Sequence, residues 1–150
     1  MTRRLAVLFL LTPPAHAAEP IAGKWFLKSQ QVNGRETALR PLTLSIKQKA
    51  DLLEFEYSVL SNQKQEVSLR FAARLDGSPA EITNSEGRKI GTARVTRSGA
   101  SEYLLMLEGP NRPTSSGKMT VSGGRTLVSE SDATSRGGDK VHTVQTFERQ

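Results

Sequence analysis

An all-β, antiparallel up-and-down barrel of about eight to ten strands is the fold class this sequence predicts, and three observations carry it. Turn signals recur at nearly even intervals, at Asn33-Gly34, the polar residues 48–51 and 61–64, Asp76-Gly77, Glu86-Gly87, Ser98-Gly99, residues 109–113, Gly123-Gly124 and Gly137-Gly138. Spacings of about 8 to 15 residues leave room for short strands and little for ordinary helices. Between the turns apolar residues alternate with polar ones, and no stretch sustains a 3.6-residue apolar period. Closing sequential hairpins into a barrel leaves no sheet edge exposed, which makes that the architecture best served by the pattern.

The elements follow in order. A first strand over residues 24–29 carries Trp25, the chain's single tryptophan. Three runs then alternate cleanly: Leu42, Leu44, Ile46; Leu53, Phe55, Tyr57, Val59; and Val67, Leu69, Phe71, Ala73, Leu75. Period two means one buried face per strand. Placing Val59 opposite Val67 sets Tyr57 against Leu69, Phe55 against Phe71 and Leu53 against Ala73, with Glu56 facing Arg70 outside. Burial and charge thus agree on one register. For the preceding hairpin, Ile46 opposite Leu53 puts Leu44 beside Phe55 and Leu42 beside Tyr57. Further strands are expected at 89–96, 102–107, 118–122, 126–131 and 140–148. Residues 103–107 are apolar on both faces, and Ile90 is out of phase with Ala93 and Val95, which a bulge near Gly91 would repair.

Ahead of these elements, residues 1–17 read as a cleaved export signal. Arg3 and Arg4 form a basic start, Leu5 to Leu11 an apolar core and Ala15-His16-Ala17 an A-x-A site, so cleavage is expected after Ala17. The apolar run is far short of the ~20 residues that span a bilayer, and Thr12-Pro13-Pro14 ends it. The expectation is a single barrel domain over 18–150, periplasmic or secreted, monomeric and without a membrane span. The chain has no cysteine, so it must be stable without disulfides.

The whole chain carries 21 Lys and Arg against 15 Asp and Glu, and loss of Arg3 and Arg4 would leave 19 against 15. These basic residues are scattered without a run of five, which argues against nucleic acid as a partner. Catalytic chemistry finds no constellation. One histidine, His142, remains outside the leader, mid-strand and without a nucleophile elbow. With no cysteine and no D-x-D-x-D-G loop, no metal site and no cofactor is expected, and there is neither a Walker loop nor G-x-G-x-x-G. Glu54 and Glu56 share a face, but the register sends them outward, toward Arg70 and solvent.

The entry into the first strand, Ile21-Ala22-Gly23-Lys24-Trp25-Phe26-Leu27, resembles the G-x-W strand of lipocalin-like proteins. From Ile21 to Arg149 the chain resembles small exported bacterial lipocalin-like proteins of uncharacterised function. The ordered set is G-x-W, then Asp76-Gly77-Ser78-Pro79, then Ser122-Gly123-Gly124-Arg125-Thr126-Leu127, and a final Thr/Val strand ending in Phe147. It departs at the late turn, where Gly124 stands in place of a frequent Asp. The resemblance implies a barrel that takes a small ligand or a partner, with Trp25 as a structural plug of the closed end, under a basic side chain.

The expected function is therefore non-enzymatic: a binding protein for a small hydrophobic or amphipathic ligand, with Phe55, Tyr57, Phe71 and Tyr103 as barrel lining. Tyr57 and Tyr103 are favoured, because a buried phenol needs a hydrogen-bond partner that a ligand can supply. A barrel of this size can equally be filled by its own side chains. In that case an interaction module, such as an inhibitor of an exported hydrolase, would act through loops, with 108–116 as its surface.

Overall fold

The computed structural model describes residues 18–110 and 112–150. The export signal and its cleavage site lie in residues 1–17, outside the described residues. Eleven strands follow in chain order: β1 (Gly23–Val32), β2 (Arg35–Glu36), β3 (Leu42–Lys49), β4 (Leu52–Ser61), β5 (Lys64–Arg74), β6 (Ala80–Thr83), β7 (Lys89–Gly99), β8 (Glu102–Gly109), β9 (Arg112–Ser122), β10 (Thr126–Thr134) and β11 (Lys140–Arg149). All but β2 form a closed ten-stranded antiparallel up-and-down barrel, in which β11 pairs with β1 to complete the circle. The two residues of β2 extend the upper end of β1. No helix occurs among the described residues, and none there is long and apolar enough to cross a membrane.

Turn chemistry explains where the strands reverse. Asn33 and Gly34 (φ 51° and 80°) and Asn62 and Gln63 (φ 48° and 62°) occupy two-residue turns with both central residues left-handed. That twist matches the right-handed twist of the flanking strands.

The β4–β5 ladder has Leu53 opposite Ala73, Phe55 opposite Phe71, Glu56 opposite Arg70 and Tyr57 opposite Leu69, as the alternation predicts. Above Tyr57 the structure departs from expectation. A bulge places Ser58 opposite Val67 and Val59 opposite Glu66, so Val59 and Val67 do not pair. Ser68 is the extra residue, and its hydroxyl donates to the Tyr57 carbonyl at 3.2 Å. The β3–β4 hairpin is shifted by two residues from the expected register: Ile46 faces Phe55, Leu44 faces Tyr57 and Leu42 faces Val59. A shift of two leaves every side chain on its own face, so alternation is blind to it. The tight turn at Ala50-Asp51, with Ala50 at φ 54°, selects the observed pairing.

Two other expectations are corrected. Residues 80–83 form β6, too short and with only Ala80 and Ile82 buried, so no period announces it. Residues 108–116 are not a loop surface: β8 runs to Gly109 and β9 starts at Arg112. Pro113 is accommodated because it falls beside a ladder irregularity between Leu107 and Gly109, where a strand can spare an N–H. The bulge expected near Gly91 is present. Ile82 pairs with Gly91 and Thr83 with Lys89, leaving Ile90 as the extra residue. A Cβ on Gly91 would collide with the Glu108 carbonyl oxygen, so only glycine permits this close approach of β7 and β8.

The core occupies the lower half of the barrel, at the end where β1 begins and β11 finishes. Trp25, Leu44, Ile46, Leu53, Phe55, Phe71, Tyr103, Met119, Leu127 and Phe147 are all buried there, and Ile21 closes it from below. The ladder is thinnest between β5 and β6, which share one pair, Arg70 with Thr83. Below β6 the chain bypasses it, since Arg97 N–H donates to Leu75 O (3.0 Å) and Gly77 N–H to Val95 O (2.9 Å).

Candidate functional site

The closed end is a sealed assembly. Trp25 is completely buried, and its indole N–H donates to the Ile21 carbonyl at 2.8 Å. The Arg149 guanidinium lies over the indole ring, 4.3 Å from its centroid. From there it donates to Ala22 O (2.7 Å), Pro20 O (2.7 Å) and Gly124 O (2.8 Å). Gly23, at φ 145°, explains the G-x-W spacing, because a Cβ there would occupy the position of Arg149 Nη1. Beside this cap, Glu19 accepts from the Tyr103 phenol at 2.6 Å and from Arg97 at 3.0 Å. Burial, followed by the neighbouring Glu19, pushes the Tyr103 phenol up, so it stays protonated and donates.

Above the floor the inward positions are less completely covered. On β1, β3, β4, β5 and β8 the inward positions continue toward the upper end, but there they are only partly buried: Leu27, Leu42, Tyr57, Leu69, Leu105 and Leu107 pack on the core yet keep contact with solvent. The polar inward positions of β1 and β11 are bonded to each other, Gln145 Nε2 donating to Gln30 Oε1 at 2.8 Å and Gln30 Nε2 to Thr37 Oγ1 at 2.9 Å.

The four aromatic residues expected as lining are separated by this division. Phe55 and Phe71 stack at 4.7 Å between centroids and form part of the floor. Tyr103 lies at the base with its hydroxyl occupied by Glu19. Tyr57 stands above the floor, half-buried, with burial pushing its phenol up and no hydroxyl partner among the described residues. Sequence reasoning did not single out Gln30 and Gln145, although both are polar residues at inward positions. Nor did it single out Glu19 or Arg149, whose roles depend on chain segments about 80 to 130 residues distant in sequence.

His142 lies on the outer face, with Nδ1 2.7 Å from Asp132 and Nε2 3.1 Å from Glu130. The hydrogen bond to Asp132, helped by both carboxylates, raises its pKa. A raised imidazole pKa gives stability that is complete below the unfolded value of about 6.5 and is lost as pH rises through the folded one. The melting-temperature advantage of the protein over His142→Gln is therefore expected to be largest near pH 6 and to shrink toward pH 8.5. An advantage that grows with pH would contradict this. Glu54 also points outward, 3.1 Å from Lys49.

Fold and site together define a lipocalin- and fatty-acid-binding-protein-like β-barrel with a filled base and a less deeply buried upper half. The sequence matches no family model, and a search of curated proteins gives no match. Among solved structures, the chain is similar to a Schistosoma mansoni fatty acid binding protein in complex with arachidonic acid (TM-score 0.61, 16% identity, 87% of this chain and 96% of that one). It is also similar to the REP1-NXSQ fatty acid transporter (TM-score 0.61, 17% identity, 89% and 98%). An S-type phycobiliprotein lyase from Guillardia theta shares the fold as well (TM-score 0.58, 10% identity, 88% and 89%). At these identities the likeness establishes the fold.

Proposed function

We propose that this protein is a non-enzymatic, exported bacterial binding protein that holds a small hydrophobic or amphipathic ligand in the upper half of its barrel. The observation that carries this reading is the row of half-buried, inward-facing apolar side chains above a sealed floor, with Tyr57 among them. Apolar surface left in contact with water inside a preformed, closed wall gains free energy when a ligand covers it, at about 25 cal/mol per Å². The named ligands of two neighbours, the fatty acid of the Schistosoma mansoni protein and that of the transporter, lend support by analogy of fold. Export rests on the leader-like residues 1–17.

Native mass spectrometry of the protein purified from an exported fraction tests both halves of the proposal. A chain beginning at Ala18 with one stoichiometric small apolar molecule is the expected result. A chain retaining residues 1–17 would overturn export. An empty protein that also fails to bind any member of a hydrophobic ligand panel would overturn the binding function.

A further inference from the structure

The upper lumen is chemically two-sided. On one side, the register sets Ser129 opposite Gln145, and Gln145 opposite Gln30; one step nearer the mouth, Ser131 faces Thr143. These are the inward positions, since they alternate with buried Leu127 and Phe147. On the other side stand Leu42, Tyr57, Leu69, Leu105 and Leu107. The hydrogen bonds between Gln145, Gln30 and Thr37 leave the Gln145 side-chain carbonyl and one of its amide hydrogens available. The hydroxyls of Ser129, Ser131 and Thr143 bond to no other side chain among the described residues.

Charge is kept out of this space. No charged residue is buried among the described residues, and the ionised side chains of the same strands pair on the outer face, Lys28 with Glu148 and Lys118 with Glu102. In the upper half, among the described residues, charge enters the inward register at the exposed rim, where Arg35 pairs with Val32, Glu66 pairs with Val59 and Lys64 closes the β4–β5 hairpin. From Phe147 to Val141 the strand rises about 20 Å, or about 15 Å along a barrel axis from which it is tilted by ~40°. A compact molecule can therefore sit below the rim. There a neutral hydroxyl, amide or ester finds both donors and acceptors, whereas an ionised carboxylate loses its hydration with no cation to replace it.

Resting on the binding role proposed above, we infer that the lumen selects an uncharged amphiphile, which sets a hydroxyl, amide or ester against the Ser129–Gln145–Gln30 row and its carbon skeleton against the Tyr57 side, and discriminates against the matching carboxylate.

Calorimetric titration of the purified protein at pH 8 with decan-1-ol, decanamide, decanoate and decane tests it. The two neutral amphiphiles are expected to bind at least tenfold more tightly than decanoate. Gln145→Leu is expected to weaken decanamide about tenfold relative to decane, with an unchanged far-UV circular dichroism spectrum showing that the variant keeps its barrel; Ser131→Ala gives a smaller loss in the same direction. Decanoate binding as tightly as the neutral pair would overturn the inference and leave the binding function standing. If added salt then weakened decanoate, its head would be located at Arg35 and Lys64. Failure of all four ligands to bind would remove the inference together with the function it rests on.

Discussion

Replacing Trp25 by alanine is expected to lower the unfolding free energy by about 3–5 kcal/mol, the range for truncating a buried tryptophan. The residue is fully buried at the point where β1, the segment around Ile21 and the end of β11 meet. Truncation would leave a cavity beneath Arg149 and strip the Ile21 carbonyl of its donor. Because Trp25 is the chain's single tryptophan, urea unfolding has to be followed by far-UV circular dichroism rather than fluorescence. Trp25→Phe should lose less, keeping most of the packing without the indole N–H. A loss below about 1 kcal/mol for the alanine variant would mean that the base is held by something else.

Arg149→Met is expected to cost about 2–4 kcal/mol, although much of the side chain's stem is preserved. The guanidinium satisfies three carbonyls, Pro20, Ala22 and Gly124, which belong to two separate segments, and it also covers the indole face. Methionine can fill space over Trp25 but donates to none of them. Lysine should restore only part, since a compact ammonium lacks the planar fork that reaches three acceptors while stacking on a ring. A double-mutant cycle with Trp25→Phe should show coupling of about 1 kcal/mol from the cation–π contact and shared packing. Strict additivity of the two losses would separate the guanidinium from the ring and make the carbonyl contacts its sole contribution.

Much of the barrel is legible along the chain because the strand period is two. Leu53, Phe55, Tyr57, Leu69, Phe71 and Ala73 share one face in the structure as they do in the alternation, and Glu56 stands opposite Arg70 on the other. The misfit of Ile90 with Ala93 and Val95 likewise located a real bulge. The same period conceals register. Sliding β3 against β4 by two residues keeps Leu42, Leu44 and Ile46 inside, so the choice fell to the Ala50-Asp51 turn, which hydrophobic patterning does not encode. Pro110 and Pro113 suggest a loop over 108–116, yet one break in the β8–β9 ladder is enough to admit Pro113 at the rim.

The candidate site was less legible. Phe55, Tyr57, Phe71 and Tyr103 are all interior, but depth along the barrel axis assigns the stacked phenylalanines and Tyr103 to the base and Tyr57 to the upper half. That depth depends on strand stagger and on which loops close which end, quantities that belong to the assembled sheet.

By itself, the sequence determined the all-β class, the inward and outward face of most strands, and a turn at each reversal, because these follow from local backbone sterics and a two-residue period. Only the tertiary structure decided how the circle closes, which end is sealed and where the lumen begins. Those outcomes rest on contacts such as Arg149 with Pro20 and Glu19 with Tyr103, between residues far apart in sequence, whose energies exist only once the barrel has brought them together.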